Sequence, residues 1–124
     1  ENNLAAYAYA SSHKSRDAYK WSADVSIYVS DDYRKKGIAY TLYTKLFKTM
    51  MDLGYYSLYA GITLPNPGSI RLHEKLGFKK IGVYRNVGFK CDHWQDVGWW
   101  EISLREYTDD PKDPIRYSES DDDL

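Results

Sequence analysis

The chain has 124 residues, of which 43% are hydrophobic and 16% aromatic, and its net charge is −1. This length allows one domain with a single core. No stretch of the sequence is long and apolar enough to cross a membrane, and no signal-peptide pattern is present, so we expect a cytoplasmic protein without a membrane partner. The single cysteine, Cys91, excludes an internal disulfide and a multi-cysteine zinc site, and we expect no metal.

Charge is unevenly distributed along the chain. Residues 105–124 hold 8 acidic and 3 basic side chains, which leaves residues 1–104 with 10 acidic and 14 basic ones. The mildly basic part suits an anionic ligand but falls short of the charge that a nucleic-acid partner requires. We therefore predict a folded domain over residues 1–104 and an acidic, disordered tail over residues 105–124.

Alternating and amphipathic patterns predict seven elements in the order β-β-α-β-α-β-β. Strands are predicted over residues 4–11, 21–29, 56–62, 78–87 and 95–104. One helix begins at Ile38 and stops before Gly54, and a shorter one spans residues 69–76. Polar loops are expected over residues 13–20, 30–37 and 88–94. This order predicts an α/β layer with a mixed sheet.

A basic loop leads into the first predicted helix. The loop and the first turn read Arg34-Lys35-Lys36-Gly37-Ile38-Ala39. A helix N-terminus presents unpaired N–H groups and a partial positive charge, and small residues let the backbone approach a phosphate closely. The pattern favours a diphosphate site, and the alternative is a solvated basic loop.

Two segments resemble motifs of one enzyme family. The first, Val29-x-x-x-x-Arg34-x-x-Gly37-x-Ala39, resembles the R-x-x-G-x-G/A pyrophosphate motif of the GNAT N-acetyltransferases. The second, residues 66–78, resembles their N-x-x-S/A-x-x-L-Y-E-K-L-G-F segment. The resemblance implies the GNAT acyl-CoA N-acyltransferase fold, an α/β (α+β) fold with a mixed, mostly antiparallel sheet flanked by helices.

Three further segments narrow the resemblance. Residues 16–21, 83–90 and 94–100 look like the phosphinothricin and methionine sulfoximine acetyltransferases within that family, and the likeness covers residues 4–104. It implies transfer of the acetyl group of acetyl-CoA to the α-amine of a small amino acid or analogue.

Acetyl transfer to an amine requires that the ammonium lose a proton, that the thioester carbonyl be polarised, and that the thiolate leave. Asp24 stands where relatives in this subgroup carry a Glu as general base; since strands disfavour Asp, a catalytic role is favoured over a surface one. His73 stands where many GNAT enzymes have a Tyr that protonates the thiolate. Imidazole can donate the same proton, and the alternative is a partly exposed helix histidine.

The resemblance also implies a set of acetyl-CoA contacts. The main chain of Ile27, Tyr28 and Val29 would bind the pantetheine arm and polarise the carbonyl where the sheet splays. Asn66 either binds the pantetheine amides or caps the second helix with Ser69. The predicted cofactor-binding residues are Ile27, Tyr28, Val29, Arg34, Lys35, Lys36, Gly37, Ile38, Ala39, Asn66 and Ser69.

For the acceptor, Arg16 and Arg85 are candidates because guanidinium matches carboxylate and phosphinate geometry. The aromatic side chains predicted to wall the pocket are Trp21, Tyr28, Trp94 and Trp99. Core or dimer packing is the alternative for these rings.

Complete GNAT domains have a strand, two helices and another strand before the first strand predicted here, whereas only residues 1–3 precede it. We expect that these elements are missing from a longer product, or that a partner chain, as in a homodimer, completes the sheet. Two other functions stay open: a non-catalytic acyl-CoA-binding or assembly module, and a protein or peptide N-acetyltransferase.

Overall fold

The computed structural model describes residues 6–13, 16–29 and 37–117. The five strands are β1 (Ala6–Ser12), β2 (Ser22–Val29), β3 (Ser57–Leu64), β4 (Lys79–Lys90) and β5 (His93–Ser103), and the two helices are α1 (Ile38–Leu53) and α2 (Pro67–Lys75). The predicted order β-β-α-β-α-β-β is confirmed. Neither helix of this described part is long and apolar enough to cross a membrane.

Two boundaries differ from the prediction. Helix α2 begins at Pro67 rather than Ser69, because proline fits the first helical turn, where its missing N–H is not needed. The predicted linker over residues 88–94 is mostly strand, since β4 and β5 pair up to Lys90 and His93. The turn that remains contains two residues with positive φ, 53° and 66°, as in the tight turns that match the twist of a hairpin.

The sheet has the order β1-β2-β3-β5-β4, and only β2 and β3 run parallel. The parallel pairing is short: it starts at Ser22 with Ser57 and ends at Asp24 with Tyr59. Beyond this last pair β2 continues to Val29 and β3 to Leu64 without pairing to each other. The two strands therefore separate, and the sheet is split from Asp24 onward.

The core lies on one face of this sheet. Ala23 of β2 pairs with Leu58 of β3, Ala60 of β3 pairs with Trp100 of β5, and all four side chains are almost fully buried. They belong to one cluster with Tyr43, Leu46 and Met50 of α1. Because side chains alternate along a strand, Asp24, Tyr59 and Trp99 point to the opposite face. Because the core and α1 lie on the other face, the face that carries Asp24, Tyr59 and Trp99 is the one open for a site.

The chain after β5 differs from its prediction. Residues 105–117 run back along the domain, where the amide of Ile115 donates to the carbonyl of Leu53 at 2.8 Å, and Tyr117 packs against the core cluster. The disorder predicted for the acidic tail does not hold for these thirteen residues, because aromatic and apolar side chains interleave with the acids. The rest of that tail lies outside the described residues.

Candidate active site

The split in the sheet forms a cleft whose closed end is Asp24. Past this residue, β2 still pairs with β1 on its other edge, up to Val29 with Ala6. Successive peptide groups of a strand point to alternate edges, so part of the backbone of Ile27, Tyr28 and Val29 faces the cleft. The geometry places these three residues where the resemblance expects a pantetheine arm, and the contact itself stays a prediction.

Helix α1 is the element that follows β2 in the chain, and residues 30–36 between them lie outside the described residues. Gly37 has φ 75°, a left-handed conformation that glycine adopts without strain, and no side chain caps the helix. The first helical bond joins the amide of Thr41 to the carbonyl of Gly37 at 3.1 Å. The N–H groups of Ile38 and Ala39 therefore have no acceptor within the helix, which suits an anion.

The cationic half of this predicted diphosphate site lies outside the described residues. It comprises Arg34, Lys35 and Lys36. The structure therefore supports the helix end of the site, and the contribution of these three side chains stays a prediction.

The N-terminus of α2 has a cap of its own. The side-chain oxygen of Asn66 accepts from the amide of Ser69 at 3.1 Å, the arrangement of an N-cap. This is the capping alternative for Asn66, whose exposed amide is also near the start of the helix. A contact of either residue with pantetheine stays a prediction.

His73 is buried between the two helices, with 3% of its surface exposed. Its Nε2 lies 2.9 Å from the hydroxyl of Tyr43, and its Nδ1 lies 2.8 Å from the carbonyl oxygen of Ser69. Since a carbonyl only accepts, Nδ1 donates to it and Nε2 accepts from Tyr43. Burial lowers the pKa of His73, an effect that the Ser69 carbonyl partly opposes, so the ring is held neutral.

This placement disagrees with both interpretations of His73 from the sequence. The ring is not partly exposed, and each nitrogen already has a partner. A proton donor to the thiolate needs an N–H directed at the cleft, and this histidine has none. We therefore correct its role to a structural one.

Asp24 has its carboxylate on the open face, with 31% of the side chain exposed. It accepts a hydrogen bond from Nδ1 of His13. The His13 ring stacks on Tyr59 with centroids 4.4 Å apart and meets the edge of Trp99 at 6.0 Å. A carboxylate, an imidazole and two aromatic rings thus meet at the closed end of the cleft.

Sequence reasoning missed His13, which it assigned to a loop. The signal that reveals it is the register of β1 with β2, which pairs Ser11 with Asp24. Paired residues point to the same face of a sheet, and so does the residue two further along. His13 therefore reaches the face of Asp24 as soon as this register is known.

A pocket of about 200 Å³ adjoins these residues on the open face. Its walls are His13, Tyr59, Ile81, Gly82, Tyr84 and Trp99. The Trp99 ring lies over Gly61, where an added Cβ would sit 3.0 Å from the indole, so the glycine makes room for this wall. The buried indole N–H of Trp99 has no acceptor among the described residues. The pocket is therefore largely aromatic, with an unsatisfied donor in one wall.

Two of the four tryptophan and tyrosine residues predicted to wall the pocket lie elsewhere. The indole N–H of Trp21 donates to the carbonyl of Lys112 at 2.7 Å and so holds the C-terminal segment. Trp94 packs edge-on against Phe89 at the tip of the β4–β5 hairpin, with centroids 5.2 Å apart. Trp99 does line the pocket, and the side chain of Tyr28 lies outside what the structure describes. The prediction is therefore corrected for Trp21 and Trp94.

Neither candidate arginine lines the pocket. Arg16 is exposed just before the short 3-10 helix Asp17–Tyr19. Arg85 is exposed and follows the pocket residue Tyr84, where the pairing of β4 with β5 is irregular up to Gly88. Arg85 is therefore next to the pocket wall in sequence but is not part of that wall.

The chain thus combines a mixed sheet that splits after one short parallel pairing, a carboxylate at the closed end of the split, and a helix that begins without a side-chain cap. The sequence model of the acetyltransferase (GNAT) family matches residues 1–78. The chain belongs to this family.

Individual relatives have names that are more specific than the family description. A phosphinothricin N-acetyltransferase from Streptomyces viridochromogenes is 44% identical over 101 residues, which is 82% of this chain and 55% of that protein. An L-methionine sulfoximine/L-methionine sulfone acetyltransferase from Salmonella typhimurium is 31% identical over 82% of this chain and 59% of that protein. The chain thus spans little more than half the length of these relatives.

A solved structure agrees in fold. A phosphinothricin acetyltransferase from Sinorhizobium meliloti in complex with AcCoA is 35% identical, with a TM-score of 0.79 over 94% of this chain and 62% of that one. The expected α+β GNAT fold, with its mixed, mostly antiparallel sheet, is confirmed.

Proposed function

We propose that this chain carries the donor site and the proton-accepting groups of an acetyl-CoA-dependent N-acetyltransferase that acts on the α-amine of a small amino acid or analogue. The observation that carries this proposal is the position of Asp24: it is the last paired residue before the sheet splits, and its carboxylate is hydrogen-bonded to His13, which lines an aromatic pocket. An amine in the pocket and a thioester in the split would meet at this residue.

The residues present fit acetyl-CoA. The edge of β2 at Ile27 to Val29 offers peptide groups to an extended chain of amides, much as a neighbouring strand would. The unpaired N–H groups at the start of α1 suit the negative pyrophosphate. Acetyl-CoA would supply the activated acyl group, and the polarising donor for its carbonyl would be a main-chain N–H of β2.

The acceptor class rests on the pocket and on the relatives. Rings from Tyr59, Tyr84 and Trp99 leave about 200 Å³, which suits a small molecule better than a protein terminus or lysine side chain. Relatives with 44% and 31% identity are named for phosphinothricin and methionine sulfoximine, both of them amino acid analogues. Arg85, which follows the pocket residue Tyr84 in the chain, and Arg16 are the cations that would bind a carboxylate or second anionic group.

Thiol release tests the proposal directly. The protein is incubated with acetyl-CoA, and free thiol is followed while methionine sulfoximine, phosphinothricin and a lysine peptide are offered in turn. We expect turnover with the two amino acid analogues and little with the peptide. Acetyl-CoA binding without turnover on any amine would instead favour a binding or assembly module, and turnover on the peptide alone would favour a protein N-acetyltransferase.

We infer in addition that two copies of the chain associate. The β4–β5 hairpin forms one edge of the sheet and carries Val87, Phe89 and Trp94, each more than half exposed. An apolar group of this kind on an edge strand favours association. Sedimentation of the wild type and of Phe89→Lys tests this, since only the wild type should sediment as a dimer.

A cytoplasmic location is part of the same proposal. The exposed thiol of Cys91 has no disulfide partner, which suits a reducing compartment. Fractionation of the source cells, with the activity assayed in each fraction, tests this location.

A further inference from the structure

We propose that His13 is the group that takes the proton from the acceptor ammonium, and that Asp24 acts through it by holding the imidazole in place. This inference rests on the proposed function and changes which atom performs the proton transfer. Asp24 is thereby a positioning residue, and the proton acceptor is Nε2 of His13.

The hydrogen bond between the two side chains determines the tautomer of His13. A carboxylate only accepts, so Nδ1 of His13 carries the hydrogen that Asp24 receives. In a neutral imidazole the other nitrogen, Nε2, then has a lone pair and no hydrogen. No hydrogen bond to this Nε2 is formed within the described ranges of the chain. The nitrogen is therefore available to accept a proton.

Packing keeps the ring in this orientation. Tyr59 stacks on one face of His13 with an interplanar angle of 22°, and Trp99 meets it at 80°. The ring itself forms part of the pocket wall, and its side chain is 23% exposed. An imidazole confined between two rings, hydrogen-bonded at one nitrogen and open at the other, has the arrangement of a general base oriented by an acid.

The length of the Asp24 side chain is a second reason to assign the proton transfer to His13. The carboxylate is one methylene shorter than that of glutamate, and one of its oxygens is bonded to His13. The imidazole lies between this oxygen and the pocket, because His13 lines the pocket and Asp24 does not. An ammonium in the pocket therefore meets the histidine first.

The groups that face His13 from neighbouring elements are few. Asp24 of β2 is the only carboxylate in contact with it among the described residues, while Tyr59 and Tyr84 contribute phenol groups from β3 and β4. Trp99 of β5 contributes no titratable group. No cation among the described residues lines the pocket. Once His13 is protonated, Asp24 is therefore its partner of opposite charge, and no lysine or arginine of the pocket wall opposes that charge.

The proton balance of the step is complete. Nε2 of His13 takes one proton from the ammonium, and the neutral amine attacks the thioester carbon, forming a C–N bond. The C–S bond then breaks, the second proton of the attacking nitrogen goes to the departing sulfur through solvent, and His13 returns its proton to water. The products are the acetamide, the thiol and one released proton.

Two substitutions separate chemistry from packing. His13→Phe keeps an aromatic ring between Tyr59 and Trp99 and removes both nitrogens, whereas His13→Ala leaves a space that free imidazole can enter. We expect kcat to fall on the order of 10²- to 10³-fold in each, the range typical of a lost general base. Added imidazole should restore turnover in His13→Ala in a concentration-dependent way and not in His13→Phe. His93→Ala, on the exposed hairpin, is the matched control.

A double substitution tests the length argument. Placing Asp24→Glu in the His13→Ala background gives the carboxylate the missing reach, and we expect part of the lost kcat to return. Nitrogen NMR of the wild type should show the hydrogen of His13 on Nδ1, and Asp24→Asn should change this tautomer balance, whether or not an acceptor is present.

The outcomes distinguish this inference from the function on which it rests. Wild-type kcat in His13→Phe, a change confined to KM, or a hydrogen on Nε2 would each overturn the role of His13 and leave the acetyltransferase intact. A wild-type protein that turns over none of the amines would overturn the proposed function, and the base with it.

Discussion

The two described histidines that lie inside the domain occupy opposite faces of the sheet and have opposite environments. His73 is 3% exposed and uses both ring nitrogens, one toward Tyr43 and one toward the Ser69 carbonyl. His13 has a 23% exposed side chain and uses one nitrogen, toward Asp24. The same side chain therefore joins two helices in one place and leaves a nitrogen open to a pocket in the other.

This difference separates stability from chemistry. A buried imidazole with satisfied nitrogens contributes to the folded state and has no proton to exchange with a substrate. A partly exposed imidazole held by a carboxylate has a ring nitrogen available to accept a proton. Changes on the Asp24 face should therefore affect turnover, and changes on the His73 face should affect unfolding.

The largest effect is expected for Asp24→Asn. The neutral amide of asparagine has no negative charge with which to hold the His13 N–H or to stabilise an imidazolium, so kcat should fall on the order of 10²- to 10³-fold, as in the His13 variants. The melting temperature and the KM for acetyl-CoA should change little. Steady-state kinetics and thermal unfolding measure both, with Asp52→Asn, an exposed acid paired with Lys48 on α1, as the control. Unchanged turnover in Asp24→Asn would remove this carboxylate from the mechanism.

The next effect is on stability, in His73→Ala. The substitution leaves a cavity in the core and removes the acceptor of the Tyr43 hydroxyl, which together cost about 2–4 kcal/mol of unfolding free energy. The kcat of the folded fraction should stay within a few-fold of wild type. Denaturant unfolding and kinetics at low temperature test this, with His93→Ala as the exposed control. A kcat loss above 100-fold at wild-type stability would restore the proton-donor role to His73.

The pH dependence of stability follows from the same burial. The pKa of His73 is lowered in the folded state from its ordinary value of 6.5, chiefly because burial penalises the charged ring. Below about pH 6.5 the unfolded chain thus binds a proton that the folded chain binds less well, so this histidine makes unfolding easier as pH falls. Urea unfolding between pH 7.5 and 5 should show a decline, reduced in His73→Gln. An equal decline in the variant would assign it to other groups.

Much of the fold was predictable because its patterns are local. The amphipathic run that begins at Ile38, the stop at Gly54 and the alternation of β2 all lie within one element, and the structure confirms them. The hairpin turn was missed because residues 88–94 hold a glycine, a lysine and an aspartate, a composition typical of a loop, whereas pairing across the strands determines where the turn lies.

The site was predictable only where it depends on one element. Asp24 stands out as an acid in a strand, but its partner His13 is eleven residues away and is identified by the register of β1 with β2. His73 follows a family motif, yet its burial depends on Tyr43 from the other helix, which the spacing of α2 does not show. The sequence pattern therefore does not determine which residues of different elements act together.

The smallest effect is expected at Asn66, which caps the helix that carries His73. Asn66→Ala removes the acceptor of the Ser69 amide and should cost about 1 kcal/mol of unfolding free energy, whereas Asn66→Asp keeps an acceptor and should stay near wild type. The pair also tests the pantetheine contact, because aspartate retains the cap and loses the amide N–H donors. If both variants raise the KM for acetyl-CoA, Asn66 binds the donor as well as capping the helix. If only the melting temperature of Asn66→Ala falls, Asn66 belongs with His73 on the side of the sheet that maintains the fold.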